Sequence, residues 1–403
     1  MFRQIATKFL KVLEVQYQSK DSYQNHVMNE TLAALERPSD PYCFVPRRPP
    51  QKVTVLGAGT DVGRIACLFL KQQQIIRILA MYDEPERNVF GAANDIAHID
   101  TSPAVQAFQG KKYLKDALDD ADVVLICGGS YILPPCCSTL DRDLFYENMS
   151  FVRTSAIATA QFAPVAIVAV QTPPVDANFA LVKYTLKLAK GKKYDKRKVL
   201  GLNAVNAMRA NQLFSVAAGR DPASSNIPVV CGSGRCTRVP CFSGAKEASK
   251  LSPKQISCLT RLVREADDMI CKVKSNNEQG HLSLGFSSAR FVTNLMKGLF
   301  ASGAYIDSAL VDQGSPGNCY NMKTCATPVQ VGKGGIAQYI VPKLNNYEAD
   351  LLEQSKCDLE DSLNLGKCYA LGDEYYLHPK KVPYCVMPPH CPLDNGSESR
   401  KLL

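Results

Sequence analysis

The sequence predicts an α/β fold built on a doubly wound parallel sheet. Three observations carry that prediction. A glycine-rich turn joins an apolar strand to an amphipathic helix, an acid closes the next strand, and apolar strands alternate with helical stretches further along.

The first strand is Val53–Leu56, four apolar or small residues of the kind that lie buried on both faces of a parallel sheet. It runs into Gly57-Ala-Gly59-Thr60-Asp61-Val-Gly63, after which Val62, Ile65, Ala66, Phe69 and Leu70 recur at helical spacing. Ile75–Tyr82 reads as the second strand, and Asp83 closes it 20 residues after Gly63. Each part has a mechanical use in holding a dinucleotide. Glycines turn the backbone tightly and let it approach a pyrophosphate, the helix N-terminus favours negative charge, and the acid accepts ribose hydroxyls. A glycine triplet alone is a weak signal; with both strands and the acid in place it indicates a Rossmann-type dinucleotide-binding domain.

Further strands are expected at Val123–Cys127 and Val165–Val170. After Lys198 a second α/β region follows, with long helices over Pro253–Lys274 and Ser283–Phe300. The expected organisation is an N-terminal extension over 1–51, a dinucleotide-binding domain over 52–197, a substrate domain over 198–368 and an irregular tail over 369–403 rich in Pro, Tyr and Cys.

The 403 residues suffice for two domains with a real core, and 46% hydrophobic and 21% charged residues are ordinary for a globular protein. No apolar run reaches the roughly 18 residues that a membrane span needs. Much of the net charge of +9 comes from Lys183–Lys198, which holds eight Lys or Arg and one acid. It reads either as a solvated helix end or as a contact for anionic lipid or an acidic partner; no nucleic-acid partner is expected. The first residues carry Arg3, Lys8 and Lys11 before any acid, with Phe2, Ile5, Phe9 and Leu13 on one helical face. That is the pattern of a mitochondrial targeting peptide, shared by short amphipathic surface helices, and it points to the matrix. The 16 cysteines follow no secretory signal and no compact framework. Cys231, Cys236 and Cys241 recur every five residues, which is not a zinc spacing, and Cys385, His390 and Cys391 form only a weak cluster, so no metal is expected. The first reading is reduced thiols that pack as small apolar groups; the second is a structural protein cross-linked by oxidation.

Several longer blocks carry a resemblance. MYDEPERNVFGAANDIAHID, DLFYEN, RANQLFSVAAGRDPASSNIPVV, LSLGFSSARFV and ATPVQVGKGG resemble, in order, the blocks of malate dehydrogenases of the mitochondrial and bacterial branch, over about residues 52–368. The resemblance implies the two-domain fold above, NAD as cofactor and a homodimer. It also implies NAD-dependent interconversion of malate and oxaloacetate. In that family hydride moves between the nicotinamide and the substrate carbon. A histidine supplies the proton, a buried aspartate orients the histidine, and arginines clamp the substrate carboxylates.

Carried over residue by residue, the resemblance places Gly57, Gly59, Gly63, Asp83 and Asn148 at the cofactor and Arg209 on a substrate carboxylate. Arg142 lies one place from the second mobile-loop arginine, and Pro135 stands near the first. The family's aspartate position holds Asn206, and its histidine position, in a turn after Ile227-Pro-Val-Val, holds Ser233. The two losses are complementary, because an aspartate buried without its histidine is an unpaired charge costing several kcal/mol, about 3–5 when one partner of a pair is removed. Thr60 and Asp61 stand where the family has glycines, and Pro173 replaces an asparagine that contacts the nicotinamide. Both Asp61 and Pro173 are expected to weaken NAD binding. Leu284 is an apolar exchange beside the nicotinamide. The expected function is thus a catalytically silent or strongly impaired paralogue. The alternatives are an active dehydrogenase that uses a substitute acid such as His281, and the cross-linked structural protein.

Overall fold

A computed structural model describes residues 51–131, 140–274, 280–314 and 319–372 of the chain. The targeting pattern, Pro135 and the Cys385–Cys391 cluster lie outside the described residues.

Six parallel strands form one half of a continuous sheet: β1 (Lys52–Leu56), β2 (Ile78–Asp83), β3 (Ala104–Gln109), β4 (Val123–Ile126), β5 (Ile167–Val170) and β6 (Val199–Leu202). Their spatial order is β3-β2-β1-β4-β5-β6, the doubly wound arrangement with a reversal between β1 and β4. The sheet continues in antiparallel fashion through β9 (Ala304–Asp312), β10 (Thr324–Gly332), β7 (Val229–Cys231) and β8 (Arg238–Pro240), with β11 (Gly335–Tyr339) also on β10.

Side-chain alternation assigns the two faces. Val53 and Val55 of β1, with Val123 and Leu125 of β4, enter one buried cluster, while Leu56, Val124 and Ile126 enter the cluster on the opposite face. The first face is covered by α1 (Asp61–Lys71) and α9 (His281–Phe300). The second is covered by α4 (Leu140–Phe162), α5 (Val175–Lys190) and α10 (Asn346–Leu371). Short helices α2 (Val89–Ala97) and α3 (Leu114–Leu118) flank β3. Each fully buried Val, Leu, Ile or Phe contributes about 1.5–3 kcal/mol, so both layers are needed. A third, smaller core joins α6 (Ala204–Ala218) to α7 (Pro253–Arg264) through Phe214, Phe242, Val229 and Val263.

The structure departs from the sequence reading in several places. The second strand starts at Ile78 rather than Ile75 because Gln73 and Ile76 close a turn. The stretch expected as one helix from Pro253 to Lys274 is two, α7 and α8 (Ala266–Val273), interrupted at Glu265. The helix in the region expected to be an irregular tail continues to Leu371, where Gly372 caps it in the left-handed conformation. Lys183, expected on a solvated face, is buried: its ammonium lies 3.0 Å from Asp312 Oδ2 and donates to Thr324 Oγ1, tying α5 to β9 and β10. Burial pushes its amine below the usual lysine range, partly offset by Asp312. Lys192 and Lys193 are exposed, as the solvated reading expects. Cys67, Cys127, Cys231 and Cys241 are buried free thiols packed among apolar side chains. Among the described residues, no group of side chains has the makings of a metal site, and no helix is long and apolar enough to cross a membrane.

Candidate functional site

The parallel strands end on one edge of the sheet, and the crevice between β1 and β4 opens there. Gly57 leaves β1 with φ of +100°, and a Cβ on it would lie 2.1 Å from Gly128 Cα. A Cβ on Gly63 would meet the Gly57 carbonyl oxygen at 2.1 Å, so only glycine lets α1 pack this close to the turn. Thr60 is the N-cap of α1: its hydroxyl accepts from Gly63 N at 2.9 Å and donates to Gly57 O at 2.8 Å. Thr60 is therefore a sound helix start in place of glycine.

Asp83, at the end of β2 and 2% exposed, accepts from Gly59 N through Oδ2 and from Glu84 N through Oδ1, both at 2.8 Å. Burial raises its carboxyl above the ordinary value, against the pull of those amides and of Arg87. Asp61, the first residue of α1, points outward with 63% of its side chain exposed and lies 3.8 Å from Arg64 Nη1. Its charge is thus turned toward water.

The glycine turn, the helix N-terminus and the acid fit the adenosine and pyrophosphate part of a dinucleotide. The other end departs from that pattern. Pro173 has no N–H, and its carbonyl accepts from Asn148 Nδ2 at 2.7 Å and from Asn178 Nδ2 at 3.0 Å. Asn148 is fully buried and also exchanges hydrogen bonds with the backbone of Ser130. Its amide pins the loop after β4 to the cis Pro173–Pro174 turn. Arg142 lies in the first turn of α4 and is half-buried.

Asn206, Arg209 and Ser233 come together on the far side of this crevice. Asn206, 1% exposed, donates through Nδ2 to Asn203 Oδ1 at 2.6 Å and to Ser233 O at 3.3 Å. Ser233 sits in the turn between β7 and β8, and its hydroxyl donates to Asp176 Oδ1 at 2.9 Å. Asp176 lies in the first turn of α5 and is 3% exposed. Its carboxylate also accepts from Ser233 N, Gly234 N and Thr237 Oγ1 at 2.9–3.2 Å. The turn therefore folds around a carboxylate.

Arg209, in α6, is ion-paired rather than fully hydrogen-bonded: among the described residues neither its Nε nor its Nη2 has an aligned hydrogen-bond partner. Its Nη2 lies 2.7 Å from Asp267 Oδ1, and its Nη1 reaches Asn206 Oδ1 at 3.4 Å. The second oxygen of Asp267 is taken by Arg238 Nη2. Arg238 is held in turn by Ser233 O at 2.8 Å and Val263 O at 3.2 Å. Burial alone would raise the Asp267 carboxyl, but Arg209 and Arg238 outweigh it and hold the group well below the usual carboxylate range.

His281, the first residue of α9, points at the start of α1. Its Nδ1 lies 3.5 Å from Asp61 Oδ2, and its ring stands edge-on to Tyr131 at 6.2 Å. Tyr131, Val62, Val205 and Leu284 form a small apolar cluster between the two halves of the crevice.

Asp176, Arg238 and Asp267 belong to the site, and sequence reasoning passed over their contacts. Asp176 had a signal, because an acid one turn from the altered Pro173 could have been paired with the altered Ser233 turn. Asp267 and Arg238 had none, since one lies in a helical stretch without a motif and the other in a strand.

Residues 51–201 match the lactate/malate dehydrogenase NAD-binding domain, and residues 205–369 match the lactate/malate dehydrogenase alpha/beta C-terminal domain. The mitochondrial malate dehydrogenase of Caenorhabditis elegans is 30% identical over 327 residues, which are 80% of this chain and 92% of the relative. The peroxisomal malate dehydrogenase 2 of Arabidopsis thaliana is 30% identical over 316 residues, covering 78% of this chain and 86% of the relative. Among solved structures, the apo malate dehydrogenase of Picrophilus torridus superposes with a TM-score of 0.68 at 19% identity, over 80% of this chain and 99% of the other. The lactate dehydrogenase of Cryptosporidium parvum, complexed with lactic acid and nicotinamide adenine dinucleotide, gives 0.67 at 17% identity, over 79% and 99%. These structural likenesses bear on the fold.

Proposed function

Because the chain belongs to the lactate/malate dehydrogenase family, we propose that it is a catalytically silent or strongly impaired member, one that keeps the NAD-binding domain and has lost the proton donor. One observation carries this reading: the Ser233 hydroxyl donates its hydrogen to the buried Asp176. Reduction of oxaloacetate needs a proton delivered to the developing alkoxide. A serine hydroxyl is far too weak an acid for that at neutral pH, and this one is already spent. Asn206 is a neutral amide that would not favour an imidazolium if one were present.

Bound NADH would supply the hydride. Gly57, Gly59, Gly63 and Asp83 are the residues of this chain that would hold it, and the Asp61 charge expected to oppose the pyrophosphate is turned outward. Losing a general acid typically costs about 10²–10⁴ in rate. The finer parts of the reading rest on the sequence. The basic amphipathic start supports the mitochondrial matrix, and the curated relatives include mitochondrial and peroxisomal enzymes. The resemblance to the mitochondrial branch supports a homodimer. The parallel pairing of β6 with β5 favours ending the first domain a few residues beyond 197.

The test is oxaloacetate reduction, followed as loss of NADH absorbance by the full chain. The expected outcome is no turnover, or turnover at least about a hundredfold below an active relative assayed beside it. Turnover within about tenfold, roughly 1.4 kcal/mol in barrier, would reject the silent reading and restore that of a dehydrogenase using His281.

A further inference from the structure

We propose that Asp267 is a built-in ligand of the substrate arginine, so that this chain seats its own carboxylate where a dicarboxylate would dock. The proposal rests on the family reading, which makes Arg209 the residue that meets a substrate carboxylate.

The geometry is that of a close, monodentate ion pair, with the Arg209 Nε left without a hydrogen-bond partner among the described residues. One oxygen of Asp267 meets Arg209 Nη2 at 2.7 Å, and both arginine side chains around it are at least nine-tenths buried. In such a dry setting a carboxylate and a guanidinium bind far more strongly than at the surface. Asp267 is itself fixed from behind. Arg238 holds its second oxygen and is anchored to the carbonyls of Ser233 and Val263.

Arg209 is approached from two further directions. Its Nη1 reaches Asn206, and a Cβ on Gly280 would lie 3.5 Å from its Nη2, so the start of α9 closes over it. An incoming carboxylate would have to displace Asp267, whose side chain is 18% exposed, and leave it paired with Arg238 alone. The displaced group stays covalently attached, so it competes as an intramolecular ligand at an effective concentration no solute reaches. The apparent affinity for substrate falls by the fraction of molecules in which Arg209 is released. This lesion is independent of the lost proton donor: one removes chemistry, the other removes binding.

The experiment titrates L-malate into the full chain saturated with NAD, by isothermal calorimetry, for wild type, D267N and D267N/R209Q. The proposal expects D267N to bind L-malate at least about tenfold more tightly than wild type, a step of about 1.4 kcal/mol. It also expects D267N/R209Q to lose that gain. D267N that is folded by circular dichroism yet binds no more tightly than wild type overturns it, as does a gain that survives removal of Arg209. If D267N does not fold, D267N/R238Q removes both charges of the rear pair, leaves Arg209, and is judged by the same two comparisons. The NADH assay on wild type separates the two readings. Wild-type turnover sinks the silent reading, whereas silence without a gain in D267N sinks only the role of Asp267.

Discussion

Asp176 shows how much one carboxylate can organise. It accepts from two backbone amides and two hydroxyls of the Ser233–Thr237 turn, all beside a 3%-exposed side chain. Each donor left buried without an acceptor costs about 1–3 kcal/mol. Asp176→Ala should therefore lower stability by about 3 kcal/mol or more, read from the urea midpoint at constant slope. A loss below about 1 kcal/mol would mean that the turn finds other acceptors. The same contact explains why restoring the family pair, Ser233→His with Asn206→Asp, should not by itself restore rate. The new imidazole would enter a turn already folded on Asp176, beside an Arg209 already paired. The double variant is expected to remain about 10² or more below an active relative in the NADH assay.

At the level of elements, the close approach of α10 to α5 is set by one small residue. A Cβ on Gly366 would fall 1.9 Å from Ala177 O and 2.9 Å from Leu181 N, both backbone atoms that cannot swing aside. Gly366→Ala should thus push the helices apart and cost about 1–3 kcal/mol, seen as a lowered melting temperature. An unchanged melting temperature would show that α10 slides without loss. Neither end of that helix explains the constraint. Its start is fixed by a reciprocal capping box between Asn345 and Glu348, and its end by Gly372.

For the molecule as a whole, Asp267 joins three elements: α8, which carries it, α6 through Arg209, and β8 through Arg238. Its folded-state carboxyl is depressed below the unfolded value of about 3.9. The stability it contributes is therefore present above that value and is lost as pH falls toward the folded one. The stability difference between wild type and D267N should accordingly shrink as pH is lowered below about 4, in urea unfolding followed across the acid range. A difference that stays constant with pH would show that Asp267 is not held ionised by its two arginines.

The strands, the glycine turn and the closing acid were legible in the sequence, because each is a local pattern. A short apolar run marks a strand buried on both faces, and a positive-φ turn demands glycine. The break at Glu265, the burial of Lys183 and the partners of Arg209 were not legible. They depend on which side chains meet across long separations, as α8 meets α6 and β8. No periodicity encodes such a meeting, since an acid in a helix looks the same whether it faces water or two buried guanidinium groups. The sequence determined that a serine and an asparagine, Ser233 and Asn206, stand in these two blocks; only the tertiary packing decided that the Arg209 guanidinium lies against the Asp267 carboxylate.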